Sequence, residues 1–493
     1  MHKLHNILKL RLILLGILFG SIYLLYYLDL TTIGLNQLRI LGGFALLQLI
    51  YIFWSWHKLT GRYIDAYLIF MIACYAFNLA QPIMEVFDCV SPERSLLTHY
   101  HWPLDDYCKS TVISMSFILC FHFGGILAAS PYTNKNLESP DRKYALQLQA
   151  IKSVATPLAV LSFPFYMYNT MIMVVVSMTM GYGAIYEGDI GTNTLFKLIG
   201  DFYVPSLICL FFVSQATRRR VWFIALITVV TVVVPPLLIG GRSNAIIILA
   251  ILFIVYSFFH RLTFRRLVVV GISIYFIFII FAAIAGSRGG TNRSISSMFE
   301  QEKETSNPAL FTLSEMGGSM QPLLNCINIL PDRVEYKYGE SYLYSFTTVI
   351  PNLGFWEIHP ATEKANLGNW LQKYLNLSYG PGFSIIAEAY YNFGYFGCLM
   401  MLFLGWGFTK IYRLVSKSEL VRNPMAFIIG VIFLFFTIKL VRNSFEFAVR
   451  AIFYYCIPMY WLMKHTYYKL KNKRKYQDNY LTIRTINNNS DLK

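Results

Sequence analysis

The sequence predicts an all-α, polytopic integral membrane protein, and three observations carry that prediction. Of 493 residues, 56% are hydrophobic and 17% aromatic while only 14% are charged, a balance far from that of soluble chains. Apolar windows of roughly 18 to 25 residues, the length that crosses ~30 Å of hydrocarbon as a helix, recur along nearly the whole chain, about twelve in all. Lysine and arginine collect in alternate connecting segments, as expected when cationic loops stay on the cytoplasmic side.

The windows centre on 11–28, 38–56, 64–84, 111–129, 155–180, 198–216, 221–239, 244–259, 267–285, 385–408, 425–439 and 450–463. No small-residue cleavage site follows YLLYYLDL and further windows come at once, so the first is read as a retained helix rather than a signal peptide. This divides the chain into N-terminal membrane helices (1–285), a large outer loop (286–382), C-terminal membrane helices (383–463) and a basic tail (464–493).

Placing Lys3, Lys9 and Arg11 inside puts HKLTGR, Arg142 with Lys143, TRRR at 217–220, HRLTFRR at 260–266 and KIYRLVSKSELVR inside as well, together with the tail from Lys464. Both termini are then cytoplasmic. The net charge of +16 is mostly topogenic, with a secondary attraction to anionic headgroups, and no nucleic-acid partner is expected. On the outer side lie an acidic loop (Glu85 to Lys109), a Gly-rich loop (Gly181 to Thr194) and the long loop from Gly286 to Gly382. Of eight cysteines, Cys89 and Cys108 share the first outer loop and are the candidate disulfide, a pairing that sequence does not decide.

Signatures of soluble enzymes are missing: there is no GxxxxGK, HExxH, CxxC or GxSxG. GYGAIYEGDIG at 181–191 lacks the third glycine and the preceding strand of a dinucleotide fingerprint. His99, His101, Asp105 and Asp106 match no ligand spacing, and a solvated polar loop explains them, so neither a metal nor a cofactor is expected.

Arginine on the wrong side is more informative. Arg242 in IGGRSN, Arg288 and Arg293 in SRGGTNR, and Arg442 and Arg450 in VRNSFEFAVR all fall at outer boundaries. Any one of them is explained by snorkelling, but five together suit a phosphate group, and Gly240, Gly241, Gly289 and Gly290 would bring backbone N–H groups to the same anion. Arg442, Glu446 and Arg450 are spaced i, i+4, i+8, which on a helix gives one stripe: a self-satisfied clasp, or a phosphate site that Glu446 positions. The stretch YGPGFSIIAEAYYNFGYFG has the same spacing, with Ser384, Glu388 and Asn392 on one helical face and Tyr391 alongside. Glu388 is either an interfacial carboxylate favoured by the helix N-terminus, with Asn392 bonded across helices, or a carboxylate at the rim of a cavity facing the arginines.

Many spans, a large late outer loop, GGRS opening a span, SRGG closing the span before the loop and GPGFSIIAEAYYNFGYFG after it resemble the O-antigen polysaccharide polymerases of the Wzy class. The resemblance implies a C-type, multi-spanning glycosyltransferase of the bacterial inner membrane with a periplasmic active site. It implies an undecaprenyl-diphosphate-linked glycan as donor, a lipid-linked repeat unit as acceptor, undecaprenyl diphosphate as leaving group, and no nucleotide or metal. A chain-length regulator (polysaccharide co-polymerase) and membrane lipid are the further partners it suggests.

Such a transfer needs stabilisation of the departing diphosphate, a base or orienter for the acceptor hydroxyl, and a groove for sugars. The five arginines are candidates for the first, Glu388 and then His359 in WEIHP for the second. For the groove the candidates are Ser384, Tyr391, Asn392 and Trp356, with Tyr336, Tyr338, Tyr342, Tyr344 and Trp370, although these aromatics also suit packing within the loop. An O-antigen ligase shares these requirements. A flippase would predict pseudo-symmetric halves and midplane charges, neither of which is visible, and a non-catalytic scaffold would have no use for an arginine-rich outer face.

Overall fold

Apolar stretches in this chain become helices because lipid offers no partner for backbone polar groups, and a helix satisfies them within the segment. The structure is a computed structural model that describes residues 2–30, 32–62, 65–130, 142–181, 183–185, 194–241, 243–260, 263–265, 268, 271–272, 277, 307–352, 356–377 and 379–490. Every regular element among the described residues is helical. The membrane part runs α1 (His2–Leu28), α2 (Leu35–Thr60), α3 (Ala66–Asn78), α4 (Ala80–Glu85), α5 (Leu104–Ala128), α6 (Arg142–Met180), α7 (Thr194–Gly200), α8 (Tyr203–Val213), α9 (Arg218–Thr228), α10 (Val234–Ile239) and α11 (Ser243–Phe259). After the undescribed segment come α12 (Pro308–Gly317), α13 (Gln321–Ile329), α14 (Glu340–Ser345), α15 (Pro360–Lys364) and α16 (Leu367–Tyr374). The C-terminal part is α17 (Ile385–Phe393), α18 (Gly397–Tyr412), α19 (Lys417–Arg422), α20 (Pro424–Thr437), α21 (Glu446–Arg450) and α22 (Ile457–Ser490).

Among the described residues, 8 helical stretches are long and apolar enough to cross a membrane, from Leu4–Leu28 to Pro424–Val441. Two expected spans appear as shorter apolar helices, Ala66–Asn78 and Asn244–Phe259. The window at 64–84 is interrupted at Leu79, where the backbone leaves helical geometry (φ −132) and α4 begins. Most of the window at 267–285 lies outside the described residues. The window at 221–239 holds a π-helical turn, Val229–Val233, just before Pro235 and Pro236, whose missing N–H groups disturb the regular ladder. The window at 450–463 likewise starts as a π turn, Ala451–Cys456, and continues into α22.

The span expected at 385–408 is two helices. Gly394 separates α17 from α18 with φ +54, a region open to glycine, and a Cβ there would come within 2.8 Å of the Tyr336 ring. α18 then packs along α5 at backbone distance: Cβ atoms on Gly124 and Gly405 would stand 2.0 Å from the carbonyl oxygens of Leu402 and Phe121. Small residues that admit such an approach are how helices gain packing where no hydrophobic drive separates them from lipid. The far end of α5 is capped by cations, Lys9 Nζ donating to the Leu127 carbonyl at 2.8 Å and Arg413 to that of Ala128 at 3.2 Å, which complements the negative pole of the helix.

The opposite end is covered by a layer built from two chain segments. Gln81 Nε2 donates to the carbonyls of Arg94 (2.7 Å) and Ser314 (2.6 Å), and its Oε1 accepts from the Leu96 N–H (2.9 Å). The Arg94 guanidinium lies over the Phe311 ring at 5.1 Å. The first outer loop and the segment after residue 306 are thereby one layer, a joining that the sequence reading did not anticipate. Cys89 and Cys108 are unbridged, so the candidate disulfide is not formed. His99, His101, Asp105 and Asp106 do not gather into a group able to hold a metal.

Candidate active site

The polar stripe of α17 faces other parts of the protein on every side. Ser384 Oγ accepts from the Ala387 N–H at 3.1 Å and caps the helix. Glu388 follows in the first turn, where the helix dipole favours a negative charge. Its Oε1 accepts from the Ser341 hydroxyl and its Oε2 from the Phe445 N–H, each at 2.6 Å. Asn392 donates to Ser341 Oγ (2.8 Å) and to the Glu388 carbonyl (2.9 Å), while its Oδ1 accepts from the Gly339 N–H (3.0 Å). Two backbone bonds, Lys337 N–H to the Tyr391 carbonyl and Tyr338 N–H to that of Asn392, complete the seam.

Ser384, Glu388 and Asn392 are at most 1% exposed. Burying a carboxylate is tolerable only because two donors meet it. Tyr391, expected in a glycan groove, is buried with its ring 4.6 Å from that of Trp370 and 6.4 Å from that of Phe383. In this structure these four groups are therefore closed to a sugar.

Between α20 and α21 the chain makes the turn that carries Arg442, and Arg450 ends α21 just after it. Arg442 has φ −136 and lies outside helical geometry, so Arg442, Glu446 and Arg450 do not form one stripe; only Glu446 and Arg450 share α21. Three hydrogen bonds clamp this turn from outside. The Arg442 carbonyl accepts from the Phe383 N–H (3.1 Å), Ser444 Oγ accepts from the Leu367 N–H (3.0 Å), and the Phe445 N–H reaches Glu388. The Arg442 side chain runs past Gly382, where a Cβ would stand 3.3 Å from its Cγ, and it pairs with no carboxylate among the described residues.

The clasp of Glu446 on both arginines, one of the two readings of that spacing, is absent among the described residues. Arg450 instead meets Asp201 Oδ2 at 3.5 Å, and the same oxygen accepts from the Tyr455 hydroxyl at 2.8 Å. Asp201 was missed by the sequence reading; its signal was a lone carboxylate at the outer edge of the 198–216 window. Glu446 is 9% exposed and accepts no hydrogen bond from any described residue. Burial, and then the Glu388 carboxylate, push its pKa up to about 8 against the pull of Arg450.

His359 caps α15, with Nδ1 accepting from the Ala361 N–H (3.1 Å), which leaves Nε2–H to donate to the Ile350 carbonyl (2.9 Å). The Trp356 ring stands 5.1 Å from it. Of the loop aromatics, Tyr342 is buried, Tyr336 packs against Tyr390, and Tyr338 is 76% exposed. Lys364 Nζ lies 4.5 Å over the Tyr344 ring and 3.0 Å from Glu340. Arg242, Arg288 and Arg293 lie outside the described residues.

The site thus unites a basic turn, a buried clamp and an unpaired carboxyl beneath an aromatic-bearing layer. A family model described as O-antigen polysaccharide polymerase Wzy matches residues 8–475. The chain belongs to that family. No curated protein and no solved structure matches it. As a member of the Wzy family it is an integral membrane O-antigen polymerase, with glycosyltransferase-type activity on lipid-linked oligosaccharide repeat units.

Proposed function

We propose that this Wzy polymerase works in the bacterial inner membrane with about twelve spans, cytoplasmic termini and a periplasmic site in a C-type glycosyltransferase fold. Its donor is an undecaprenyl-diphosphate-linked glycan. The acceptor is the non-reducing-end hydroxyl of a single lipid-linked repeat unit. The bond from the donor's anomeric carbon to the diphosphate oxygen breaks, its electron pair leaving with undecaprenyl diphosphate. The bond from that carbon to the acceptor oxygen forms, and the acceptor proton passes to a base.

Arg442 and Arg450 hold the diphosphate, and Arg242, Arg288 and Arg293 are assigned to the same role. Guanidinium forks match phosphate oxygens and stabilise the charge that grows on the leaving group. Glu388 acts through them as a positioning residue, since both of its oxygens are occupied and one of them fixes the turn. His359 is similarly engaged at both nitrogens. Glu446, unpaired and beside Arg450, is the group best suited to take the proton, since a base poised near neutrality transfers protons effectively. Tyr338, Tyr344 and Trp356 offer faces to sugar C–H surfaces. A chain-length regulator would dock on the outer layer.

The observation that carries this reading is the clamped arginine turn. Purified protein given one defined lipid-linked repeat unit in detergent is expected to make a ladder of lipid-linked oligomers. Transfer only onto a lipid A core would indicate a ligase, and no glycosidic product from authentic substrate would overturn both.

A further inference from the structure

Lys439 stands three residues before Arg442, in the one-turn helix Ile438–Val441 that ends the apolar run of α20. Its ammonium lies 4.5 Å from the centroid of the Phe435 ring and 5.7 Å from that of Phe436. Phe436 stacks on Tyr455 with centroids 4.8 Å apart and planes within 9°. Tyr455 in turn donates to Asp201, the partner of Arg450. A continuous chain of contacts therefore joins Lys439 to the arginine site through Phe436, Tyr455 and Asp201.

Lys439 is a cation here that forms no direct ion pair among the described residues, the Asp201 carboxylate acting on it only at longer range. Among the described residues its Nζ meets no carboxylate within ion-pair range and donates no hydrogen bond, whereas Arg450 has Asp201. Aromatic faces attract an ammonium less strongly than the water it gives up at the end of an apolar helix. Its three N–H donors, on a part-exposed side chain, are open to an anion.

We propose that Lys439 is a further binding cation for the phosphate chemistry of the lipid carrier, placed to meet charge that appears as the diphosphate leaves. The inference rests on the diphosphate-site reading given above. A glycosyl diphosphate diester carries about −2 at neutral pH and the released diphosphate monoester more, nearer −3, by the ordinary second ionisation of phosphate. A cation that shares its nearest carboxylate, Asp201, with Arg450 and does not pair with it directly is of most use to the state with the extra charge. Its loss should therefore lower kcat more than it raises KM. A phospholipid headgroup presents the same chemistry, and the experiment separates the two sources.

Full-length protein in detergent would be titrated with undecaprenyl diphosphate, undecaprenyl monophosphate and phosphatidylglycerol, in wild type, Lys439→Gln and Lys439→Arg. Wild type is expected to prefer the diphosphate. Lys439→Gln should weaken diphosphate binding by about tenfold or more, the worth of a charge-assisted hydrogen bond, and Lys439→Arg should recover most of it. Should Lys439→Gln fail to accumulate, Lys439→Met is read in its place. Equal diphosphate binding by wild type and the neutral variant overturns the inference and leaves the diphosphate site standing. Phosphatidylglycerol competing as well as the diphosphate also overturns it, in favour of a headgroup seat. Wild type that binds neither isoprenoid phosphate overturns the site reading itself, and this inference with it.

Discussion

Glu388 is met by two donors, so its replacement can be worked out atom by atom. Glutamine offers one oxygen and one NH2, so one of Ser341 and the Phe445 N–H is left facing a donor, at a cost of ~1–3 kcal/mol for a buried unpaired group. Glu388→Gln should lower the thermal midpoint in detergent and the polymer yield together, and Ser341→Ala should do both more mildly. A Glu388→Gln protein with unchanged melting and no polymer would instead make Glu388 the proton acceptor. For Glu446 the sign of the pH effect is fixed by its raised pKa. The folded protein favours the protonated carboxyl, so its contribution to stability is full below the ordinary Glu value and falls away as pH rises toward about 8. Glu446→Gln should therefore raise the melting temperature at pH 8 to 9 and leave it unchanged near pH 4. With Glu446 as the proton acceptor, wild-type polymerisation should speed up as pH rises toward about 8, and Glu446→Gln should be slow at every pH and lack that rise. The i, i+4 spacing of Ser384, Glu388 and Asn392 was legible in the sequence because helical periodicity is local. What the stripe faces was not, because its partners Ser341 and Phe445 are 47 and 57 residues away.

Hydropathy reveals where an apolar segment is and little about where it bends. The windows at 11–28, 38–56 and 111–129 each coincide with one helix, yet Leu79 and Gly394 interrupt two others. Both breaks sit inside windows that hydropathy alone reads as continuous, with only Asn78 and Gln81, or Asn392, beside them as polar residues, and the one at Gly394 is met by the close approach of Tyr336 from the preceding loop. The α5–α18 contact was partly legible in the small residues of FHFGG and LGWG, although sequence alone did not pair them. Gly405→Val tests this packing. Its side chain would meet the Phe121 backbone rather than a flexible side-chain end, and overpacking of this kind costs roughly 1–3 kcal/mol or more. The expected result is a lower thermal midpoint and less folded protein in the membrane, whereas Gly407→Val, at a glycine with nothing within 4 Å, should behave as wild type.

Across the whole molecule, two ends carry different chemistry. Lys9 and Arg413 cap one end of α5, and the Gln81-centred layer covers the other. These same basic residues set the expected orientation, and labelling checks it. A cysteine placed at the exposed Leu343 should react with a membrane-impermeant maleimide in intact spheroplasts, and one at Lys471 only after the membrane is opened. The reverse pattern would invert the topology and move the arginine turn to the cytoplasm. The one large-scale feature that the sequence hid is the merging of the loop after α4 with the segment after residue 306, because the hydrogen bond from Gln81 to the Ser314 carbonyl connects residues 233 positions apart.

The seam between α17 and the segment around Ser341 bears on how such an enzyme can be re-engineered for a different sugar. The outer segment is the natural part to exchange between relatives, since it carries the exposed aromatics. It is nevertheless not an independent cassette. Gly339 and Ser341 on one side, and Glu388 and Asn392 on the other, form a matched lock whose halves lie on different sides of any convenient splice point. A hybrid that transplants that segment alone would break the Ser341 contact that holds the carboxylate clamping the Arg442 turn, and would lose activity for reasons unrelated to sugar choice. A graft that carries both halves is the one that can report on specificity.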